Sequence, residues 1–271
     1  MNHLFSLKNK KVVVSGATGV LGTAISHYLA EQEAVVIALG RDTVKTNQLV
    51  QSIKDHGGVA HAVIADVTNE DALQTVCQQL QQQFGYIDVL LNAAGGNMAG
   101  AVVMPEQSIL NSDTEALQKV IELNYMGTFL PVKTLLPLFL KEKKGSIINI
   151  SSMAAARPLT RVMGYASAKA AIDNLTQWLA IEFCQKYGEG MRVNAIAPGF
   201  FLTEQNRTLL TQPDGSLTQR GQQIINQTPM GRFGQPEELF GAIHWLCTEA
   251  SQFVTGTVIP IDGGFNAYSG V

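Results

Sequence analysis

Short apolar runs alternate along the chain with longer segments in which apolar residues recur every three or four positions. Continuous β-branched runs are typical of strands buried on both faces of a parallel sheet, and the longer pattern is typical of helices packed against it. The alternation predicts an α/β fold, a single Rossmann-type doubly wound parallel sheet with helices on both faces. We predict about seven strands, at Lys11–Val14, Ala34–Leu39, Ala60–Asp66, Ile87–Asn92, Ser146–Ser151, Met191–Ile196 and Gly256–Ile261.

The helical pattern is clearest after the first strand, where Leu21, Ile25 and Leu29 repeat at four-residue spacing. Further helices are predicted from Thr114 to about Lys141 and over Tyr165–Tyr187. No repeat, linker or shift in composition divides the chain, so we expect residues 1–271 to form one domain. Two long segments, at about 95–113 and 203–228, follow strands on the side where this fold binds ligands. We expect the second to be a substrate lid.

The composition of the chain argues against several classes of function. The chain has 271 residues, of which 46% are hydrophobic and 15% charged, with a net charge of −3. Nucleic-acid binding would need a clustered basic face, and none is evident. The N-terminal residues lack the apolar core of a signal peptide, and no apolar run reaches membrane-spanning length, so we expect a cytoplasmic protein without a membrane partner. Metal binding is not expected, because the three cysteines and five histidines are scattered.

A glycine-rich segment, Ser15–Gly22, joins the first strand to the first helix. A turn of this kind presents backbone N–H groups and the positive end of the helix dipole to a pyrophosphate. Glycine also serves ordinary turns, but the position between a strand and a helix favours the phosphate-binding interpretation.

A second pattern carries candidate chemistry. Ser152 precedes Tyr165 by thirteen residues, and Lys169 follows one helical turn later. A phenol has a reference pKa of about 10, and a neighbouring ammonium group favours its deprotonated form. A serine hydroxyl then holds a carbonyl or alcohol oxygen while the tyrosine transfers the proton. The pair of tyrosine and lysine alone is common on solvent-exposed helices, so the interpretation depends on the other motifs.

With these motifs the chain resembles the short-chain dehydrogenase/reductase family over nearly its whole length. The family's elements occur in order: a glycine loop, an N-A-G motif after the fourth strand, a catalytic Asn, a Ser/Tyr/Lys set and a P-G-x-x-x-T motif. The loop departs at Val20, which stands where the family has its middle glycine. The matching positions here are Ser15–Gly22, Asn92–Gly95, Asn124, Ser152, Tyr165, Lys169 and Pro198–Thr203.

The resemblance implies an NAD(P)-dependent oxidoreductase that transfers hydride between nicotinamide and a secondary alcohol or ketone. In the family's scheme Tyr165 is the general acid or base, Lys169 lowers its pKa and binds the nicotinamide ribose, Ser152 fixes the substrate oxygen, and Asn124 holds a water in a proton relay. The expected cofactor-binding residues are Gly16, Thr18, Gly19, Val20, Leu21, Gly22, Arg41, Asp66, Val67, Asn92, Ala93, Gly95, Tyr165, Lys169, Pro198, Gly199 and Thr203.

Two of these residues carry an alternative. Asp66 is expected to accept a hydrogen bond from the adenine amino group, or to act as the N-cap of the helix that starts near Asn69. Gly40 stands where NAD enzymes of this fold place a ribose-binding acid, and Arg41 follows it. A missing acid and an adjacent guanidinium favour NADP over NAD. The alternative is that Arg41 is a solvated turn residue and Asp42 serves as the acid.

Several segments also resemble the D-mannonate oxidoreductase (fructuronate reductase) type, which acts on sugar acids. They are Ala93–Asn97, Arg157–Arg161, Pro198–Arg207 and Asp262–Val271. A sugar acid needs a cation for its carboxylate and polar groups for its hydroxyls. The expected substrate contacts are Asn97, Ser152, Arg157 and Arg207. Arg207 ranks first for binding the carboxylate, and Arg161 is expected to flank the same pocket. Each of these arginines is equally compatible with a surface role.

Three functions therefore compete at this point: a sugar-acid dehydrogenase or reductase, the same chemistry on another polyol, steroid-like or acyl-carrier substrate, and a non-catalytic dinucleotide sensor. The complete set of Asn124, Ser152, Tyr165 and Lys169 argues against the sensor. Related enzymes are commonly tetramers packed through the helices that carry Asn124 and Tyr165, so we expect a homotetramer or homodimer.

Overall fold

The computed structural model describes residues 3–203 and 207–270. Residues 204–206, which belong to the predicted lid and to the sugar-acid resemblance, lie outside the described residues, as do Met1, Asn2 and Val271.

The strands of the described chain form a single parallel sheet in the order β3-β2-β1-β4-β5-β6-β7. The predicted fold class is confirmed, and each predicted strand is present with ends shifted by one or two residues. The third strand ends at Ile64 rather than Asp66. The bounds are β1 Lys11–Ser15, β2 Val35–Gly40, β3 Val59–Ile64, β4 Val89–Asn92, β5 Gly145–Ile150, β6 Met191–Pro198 and β7 Val258–Ile261.

Helices connect these strands and cover both faces of the sheet. The helical region predicted from Thr114 is interrupted by a turn of π-helix at Glu122–Met126. The helix bounds are α1 Val20–Glu31, α2 Thr43–Asp55, α3 Glu70–Phe84, α4 Thr114–Ile121, α5 Gly127–Leu135, α6 Pro137–Leu140, α7 Met153–Ala156, α8 Met163–Tyr187, α9 Arg207–Leu210, α10 Gln219–Asn226 and α11 Phe240–Cys247. Within the described ranges, no helix is long and apolar enough to cross a bilayer.

The alternation of side chains along each strand produces two cores, one on each face. Val12 and Val14 of β1 lie in the core shared with α1, α2 and α11. Val13 points the other way, into the core shared with α3, α5 and α8. Because both faces are covered, the strands are apolar throughout, which is why their sequence shows continuous rather than alternating hydrophobicity.

The order of the strands reverses at β1, which pairs with β2 on one side and β4 on the other. The chain leaves these neighbouring strands in opposite directions, which opens a crevice at their carboxyl ends. The glycine loop follows β1, and the segment that starts at Asn92 follows β4. Both lie at this crevice.

A buried polar chain fixes α8 to the sheet. Asn92 Nδ2 donates to Asn149 Oδ1 at 2.9 Å, and Asn149 Nδ2 donates to Thr176 Oγ1 at 2.9 Å. These three side chains are at most 1% exposed. These hydrogen bonds link β4, β5 and α8, which are the elements that carry most of the predicted site.

Asn149→Ala should reduce the free energy of unfolding, because it leaves the Asn92 amide without its acceptor in the protein interior. A buried unsatisfied donor costs roughly 1–3 kcal/mol. Urea unfolding followed by circular dichroism measures the loss. Asn47→Ala is the matched control, since Asn47 is exposed on α2 and should change stability by less than about 0.5 kcal/mol. Equal unfolding midpoints for the two variants would contradict the assignment.

Candidate active site

The predicted catalytic residues converge beyond the carboxyl end of β5. Ser152 follows this strand and caps α7 by accepting a hydrogen bond from Ala154 N. Tyr165 and Lys169 lie on the first turns of α8, and Asn124 lies in the π-helical turn. A π-helical turn inside a helix is rare and is often found at functional sites.

The side chains of Ser152 and Tyr165 lie close enough for Ser152 to favour the phenolate form of the tyrosine. Burial raises the pKa of Tyr165, and Ser152 opposes this only in part. The direction is opposite to the one expected from the sequence, because the loss of water around the phenolate outweighs the effect of Ser152. The Lys169 Nζ lies 5.6 Å from the centre of the tyrosine ring.

Lys169 is 3% exposed, and its Nζ donates to the carbonyl oxygen of Ile150 at 2.7 Å. Burial lowers the pKa of this lysine to about 8, while the negative charge of Asp173 one turn further along α8 acts against the shift. Asp173 accepts a hydrogen bond from Ser151 Oγ. An ammonium group has three donors, so two remain for other partners.

Asn124 is fully buried and holds the loop that follows β4. Its Oδ1 accepts from Gly96 N at 3.1 Å, and its Nδ2 donates to Gly96 O at 2.7 Å and to Val120 O at 2.8 Å. A Cβ at Gly95 would lie 2.7 Å from Asn124 Oδ1 and 3.2 Å from Lys169 Nζ. Glycine is therefore required at position 95, where the loop crosses directly over these two side chains.

The glycine loop fits a dinucleotide. Gly16 adopts a left-handed φ of +65°, and a Cβ there would lie 2.7 Å from the Ala94 backbone. The first helix begins at Val20 with Gly19 as an N-cap that offers no side-chain hydrogen bond. The first N–H groups of α1 therefore lack a protein cap and are suited to an anion.

The structure explains the departure at Val20. This residue is the first of α1, and its side chain is 41% exposed, so it meets no neighbouring backbone. The close approach occurs at Gly22 instead, where a Cβ would overlap the carbonyl oxygen of Gly16. A side chain is thus tolerated at position 20 but not at position 22.

At the adenosine end of the crevice, Asp66 accepts hydrogen bonds from Thr68 N at 2.9 Å and Thr68 Oγ1 at 2.7 Å. These bonds lower the pKa of Asp66, and the positive charge of Arg41 adds a smaller effect in the same direction. The alternative role of Asp66 as a helix N-cap was wrong: Asn69 caps α3 by accepting from Ala72 N. Val67 is buried beside Gly127.

The end of β2 has no room for an acidic side chain. A Cβ at Gly40 would overlap Thr46 Oγ1 and would lie 3.5 Å from the Cγ2 of Thr18. Asp42 caps α2 by accepting a hydrogen bond from Lys45 N at 3.0 Å. Arg41 lies between these two positions and is exposed.

Three buried side-chain oxygens have no hydrogen-bond partner among the described residues: Ser26 Oγ on α1, and Oδ1 of Asn92 and of Asn97. Asn92 is the last residue of β4, and the next residue, Ala93, donates its N–H to the carbonyl oxygen of Ser15 at the end of β1. Both asparagines thus present an acceptor that the protein itself does not satisfy, one at the cofactor crevice and one in the segment beside it. An acceptor of this kind is suited to a hydrogen bond from a bound molecule or from an ordered water.

The remaining predicted residues lie at the end of β6 and in the segments around it. Pro198 ends β6, and Gly199 packs on Asp262, whose Cα would lie 2.7 Å from a Cβ at position 199. Thr203 begins the lid, whose described part contains α9 and α10. Arg207 is the first residue of α9 and is exposed.

The structure gives Arg157 a partner within the chain. Its Nε and Nη2 donate to the carbonyl oxygen of Asn266, at 3.2 and 2.7 Å. The side chain ties the active-site segment to the C-terminal segment. Two residues that the sequence interpretation did not single out lie close to the site: Asp173, which four-residue spacing from Lys169 signals, and Arg220 in the lid, which no motif marks.

A cavity of about 700 Å³ lies elsewhere, near the amino ends of the strands, where Lys10, Asp88, Gly145 and Arg192 line it. None of the predicted catalytic or cofactor residues borders it. The volume of a cavity therefore does not identify the active site in this protein. Among the described residues, no group of histidine, cysteine or carboxylate side chains is arranged to hold a metal ion.

Comparison with known proteins agrees with this geometry. The family model described as enoyl-(acyl carrier protein) reductase matches residues 16–266. The uncharacterized oxidoreductase UxuB of Bacillus subtilis (strain 168) is 43% identical over 275 residues, covering 98% of both chains.

Two solved structures are similar to this protein over nearly the whole chain. A proposed D-mannonate oxidoreductase from Haemophilus influenza, with bound NAD, is 40% identical with a TM-score of 0.92, covering 98% of both chains. A gluconate 5-dehydrogenase from Burkholderia cenocepacia, in complex with NADP and tartrate, is 26% identical with a TM-score of 0.86, again covering 98% of both chains. The chain therefore belongs to the short-chain dehydrogenase/reductase family and is an oxidoreductase that uses NAD or NADP and acts on CH–OH groups.

Proposed function

We propose that the protein interconverts a secondary alcohol and a ketone on a sugar acid such as D-mannonate or D-fructuronate. The observation that carries the chemistry is the grouping of Ser152 and Tyr165 with the buried Lys169, whose Nζ lies 5.6 Å from the centre of the tyrosine ring. The substrate class is supported by the similarity to the proposed D-mannonate oxidoreductase at 40% identity over nearly the whole chain.

In this proposal Ser152 donates a hydrogen bond to the oxygen of the reacting carbon. Tyr165 transfers the proton to that oxygen when a ketone is reduced and removes it when an alcohol is oxidised. When bound, the nicotinamide cofactor supplies or accepts the hydride. Lys169, with two donors left after its bond to Ile150, stabilises the phenolate form of Tyr165 and binds the ribose.

Asn124 acts in this proposal by holding its neighbours in position. Its amide is bound to the Gly96 peptide and to Val120, so the side chain fixes the loop that passes over Lys169. The water relay behind Lys169 that the resemblance implies remains part of the proposal. The buried Oδ1 of Asn97 in the same loop would accept a hydrogen bond from a substrate hydroxyl.

The crevice residues fit the cofactor in chemical type. The N–H groups of Val20, Leu21 and Gly22 would bind the pyrophosphate, with Gly16, Thr18 and Gly19 shaping the turn. Asp66 and Val67 would contact the adenine. Asn92, Ala93, Gly95, Pro198, Gly199 and Thr203 complete the proposed cofactor contacts around the nicotinamide half.

We propose in addition that residues 1–271 act as one domain and that the protein is a homotetramer or homodimer. Helix α8 exposes Trp178 at 57% and Ile181 at 61%, and these apolar side chains lie three residues apart on one face. Such a face supports association of two copies through α8. The cytoplasmic location expected from the sequence stays a prediction.

Tyr165→Phe should reduce turnover roughly 10²- to 10⁴-fold, which is the usual contribution of general acid–base catalysis. The ring is retained, so cofactor binding, measured by nicotinamide fluorescence, should change little. Tyr187→Phe is the matched control, because Tyr187 lies at the far end of the same helix and should leave the rate unchanged. A Tyr165→Phe enzyme that keeps most of its activity would remove Tyr165 from its proposed role.

The substrate class is tested by following nicotinamide absorbance during oxidation of a panel of sugar acids, their uncharged polyols, hydroxysteroids and 3-hydroxyacyl carriers, each with NAD and NADP. We expect catalytic efficiency to be highest for a hexonate, D-mannonate among the first. A steroid or an acyl carrier used at least tenfold more efficiently than every sugar acid would show that the proposed substrate class is wrong, while the reaction type would stand.

The missing acid at position 40 predicts that the enzyme prefers NADP and that Arg41→Ala lowers efficiency with NADP by roughly 10- to 100-fold. That range corresponds to one charged hydrogen bond of about 1.5–3 kcal/mol. Efficiency with NAD should hardly change. Lys54→Ala, at the far end of α2, controls for the loss of one positive charge. A wild-type preference for NAD that Arg41→Ala leaves unchanged would mean that Arg41 does not contact the cofactor.

A further inference from the structure

Three segments border the substrate side of the site, and one arginine lies where the first two meet. The backbone N–H of Val103, in the segment after β4, donates to the carbonyl oxygen of Arg161 at 3.0 Å. Arg161 is half-buried, precedes Tyr165 by four residues and adopts a left-handed φ of 76°. A non-glycine residue in this conformation carries backbone strain, which persists only where surrounding contacts fix it. Arg161 is thus held in place next to the catalytic helix.

The third segment, the lid, contributes Arg220. This residue lies in the first turn of α10, which Thr218 caps by accepting a hydrogen bond from Gly221 N at 3.0 Å. Ile224 on the same helix packs with Phe200 and Leu202, which directly follow the Pro198–Gly199 motif. The helix that carries Arg220 is therefore packed against the end of β6, above the carboxyl edge of the sheet.

The charge of Arg161 acts on Arg220 across the boundary between the two segments. Burial lowers the pKa of Arg220, and the positive charge of Arg161 lowers it further. Among the described residues, no carboxylate forms an ion pair with either arginine, and no hydrogen bond occupies either guanidinium group. Two like charges that are half-buried together repel each other, so the arrangement is unfavourable until an anion joins it.

Other arginines of the chain are satisfied by the protein itself. Arg157 binds Asn266, Arg232 forms a two-pronged ion pair with Glu238, and Arg192 donates to Ser251 and to two carbonyl oxygens. Arg161 and Arg220 differ from these three arginines, because no described residue accepts a hydrogen bond from either guanidinium group. A planar guanidinium fork matches the two oxygens of a carboxylate, and two forks match them from both sides.

We infer that Arg161 and Arg220 together bind the carboxylate of the substrate, while Ser152 and Tyr165 hold the oxygen of the reacting carbon. This inference rests on the proposed function, and it assigns the recognition of the acid group to a residue in the lid. Binding of the carboxylate relieves the repulsion between the arginines, so an acid draws α10 toward the catalytic helix. An uncharged polyol of the same shape lacks this effect.

The test compares an acid with its uncharged counterpart, D-mannonate with D-mannitol, in the full-length enzyme. Arg220→Gln and Arg161→Gln should each lower kcat/KM for D-mannonate by roughly 10- to 100-fold, the range expected for one charged hydrogen bond. The value for D-mannitol should stay within about twofold. Arg220→Lys should recover only part of the loss, because lysine keeps the charge but not the fork. Lys186→Gln, at the opposite end of α8, controls for net charge.

Equal losses on both substrates, or no loss on either, would overturn the inference while leaving the proposed function intact. If the wild-type enzyme oxidises no sugar acid, the proposed function fails, and calorimetric titration of D-mannonate into the enzyme with NAD or NADP then decides the carboxylate site. Binding that Arg220→Gln abolishes supports the site on its own. Binding that the variant retains, or that the wild type never shows, overturns it. Unchanged nicotinamide fluorescence shows that each variant is folded.

Discussion

The site depends on a lysine ammonium group that the fold places in the protein interior. Lys169 has the carbonyl oxygen of Ile150 as a partner at 2.7 Å and only a partial counter-charge from Asp173. Burial lowers the pKa of this lysine from its ordinary 10.5 to about 8, a shift that corresponds to about 3 kcal/mol. Because the folded protein binds this proton less tightly than the unfolded chain, the destabilisation is complete below pH 8 and disappears as the pH approaches 10.5.

The same burial raises the pKa of Tyr165, so the surroundings that favour a neutral lysine also favour a protonated tyrosine. A site of this kind has a proton available at neutral pH and needs a nearby positive charge to release it.

Much of the surrounding structure serves to hold that lysine in place. The polar chain of Asn92, Asn149 and Thr176 fixes α8 against β4 and β5, and therefore fixes the height at which Lys169 projects. Asn124 holds the loop above it, and Gly95 allows that loop to pass within contact distance of both side chains. The π-helical turn has a local cause as well, since the amide of Asn124 binds the carbonyl oxygen of Val120 and the peptide of Gly96 at once. Together these features fix one geometry around Lys169.

The sheet could be predicted from sequence because burial on both faces leaves a strong and local pattern of apolar runs. The proximity of Ser152, Tyr165 and Lys169 was predictable for a related reason, since one strand end and one helix carry all three side chains. The direction of the Tyr165 pKa was not, because desolvation depends on how completely residues distant in sequence cover the phenol. The effect of Val20 could not be predicted from spacing either: in the structure the side chain of Val20 is partly exposed at the start of α1, and the tight backbone contact occurs at Gly22. Asp66 was considered as the N-cap of α3, but the cap is Asn69, and the hydrogen bonds of Asp66 go to Thr68 instead. The contact of Arg157 with Asn266 could not be predicted, because the two residues are more than a hundred positions apart in the sequence.

Arginine residues of this protein show how recognition differs from structure in physical terms. Arg192 is 7% exposed, and its donors are all directed at Ser251 and at carbonyl oxygens that the fold supplies, so the charge is solvated by the protein. Arg161 and Arg220 are less buried, yet the described residues supply them with no acceptor. A structural arginine gains its hydrogen bonds when the chain folds, whereas a pair of unsatisfied arginines gains them only when an anion arrives. The described part of the lid packs through a small apolar cluster of Leu210, Ile224 and Phe233. Arg161 lies in the turn before α8 and Arg220 lies on a lid helix, so an anion bound by both arginines would link the lid to the catalytic helix.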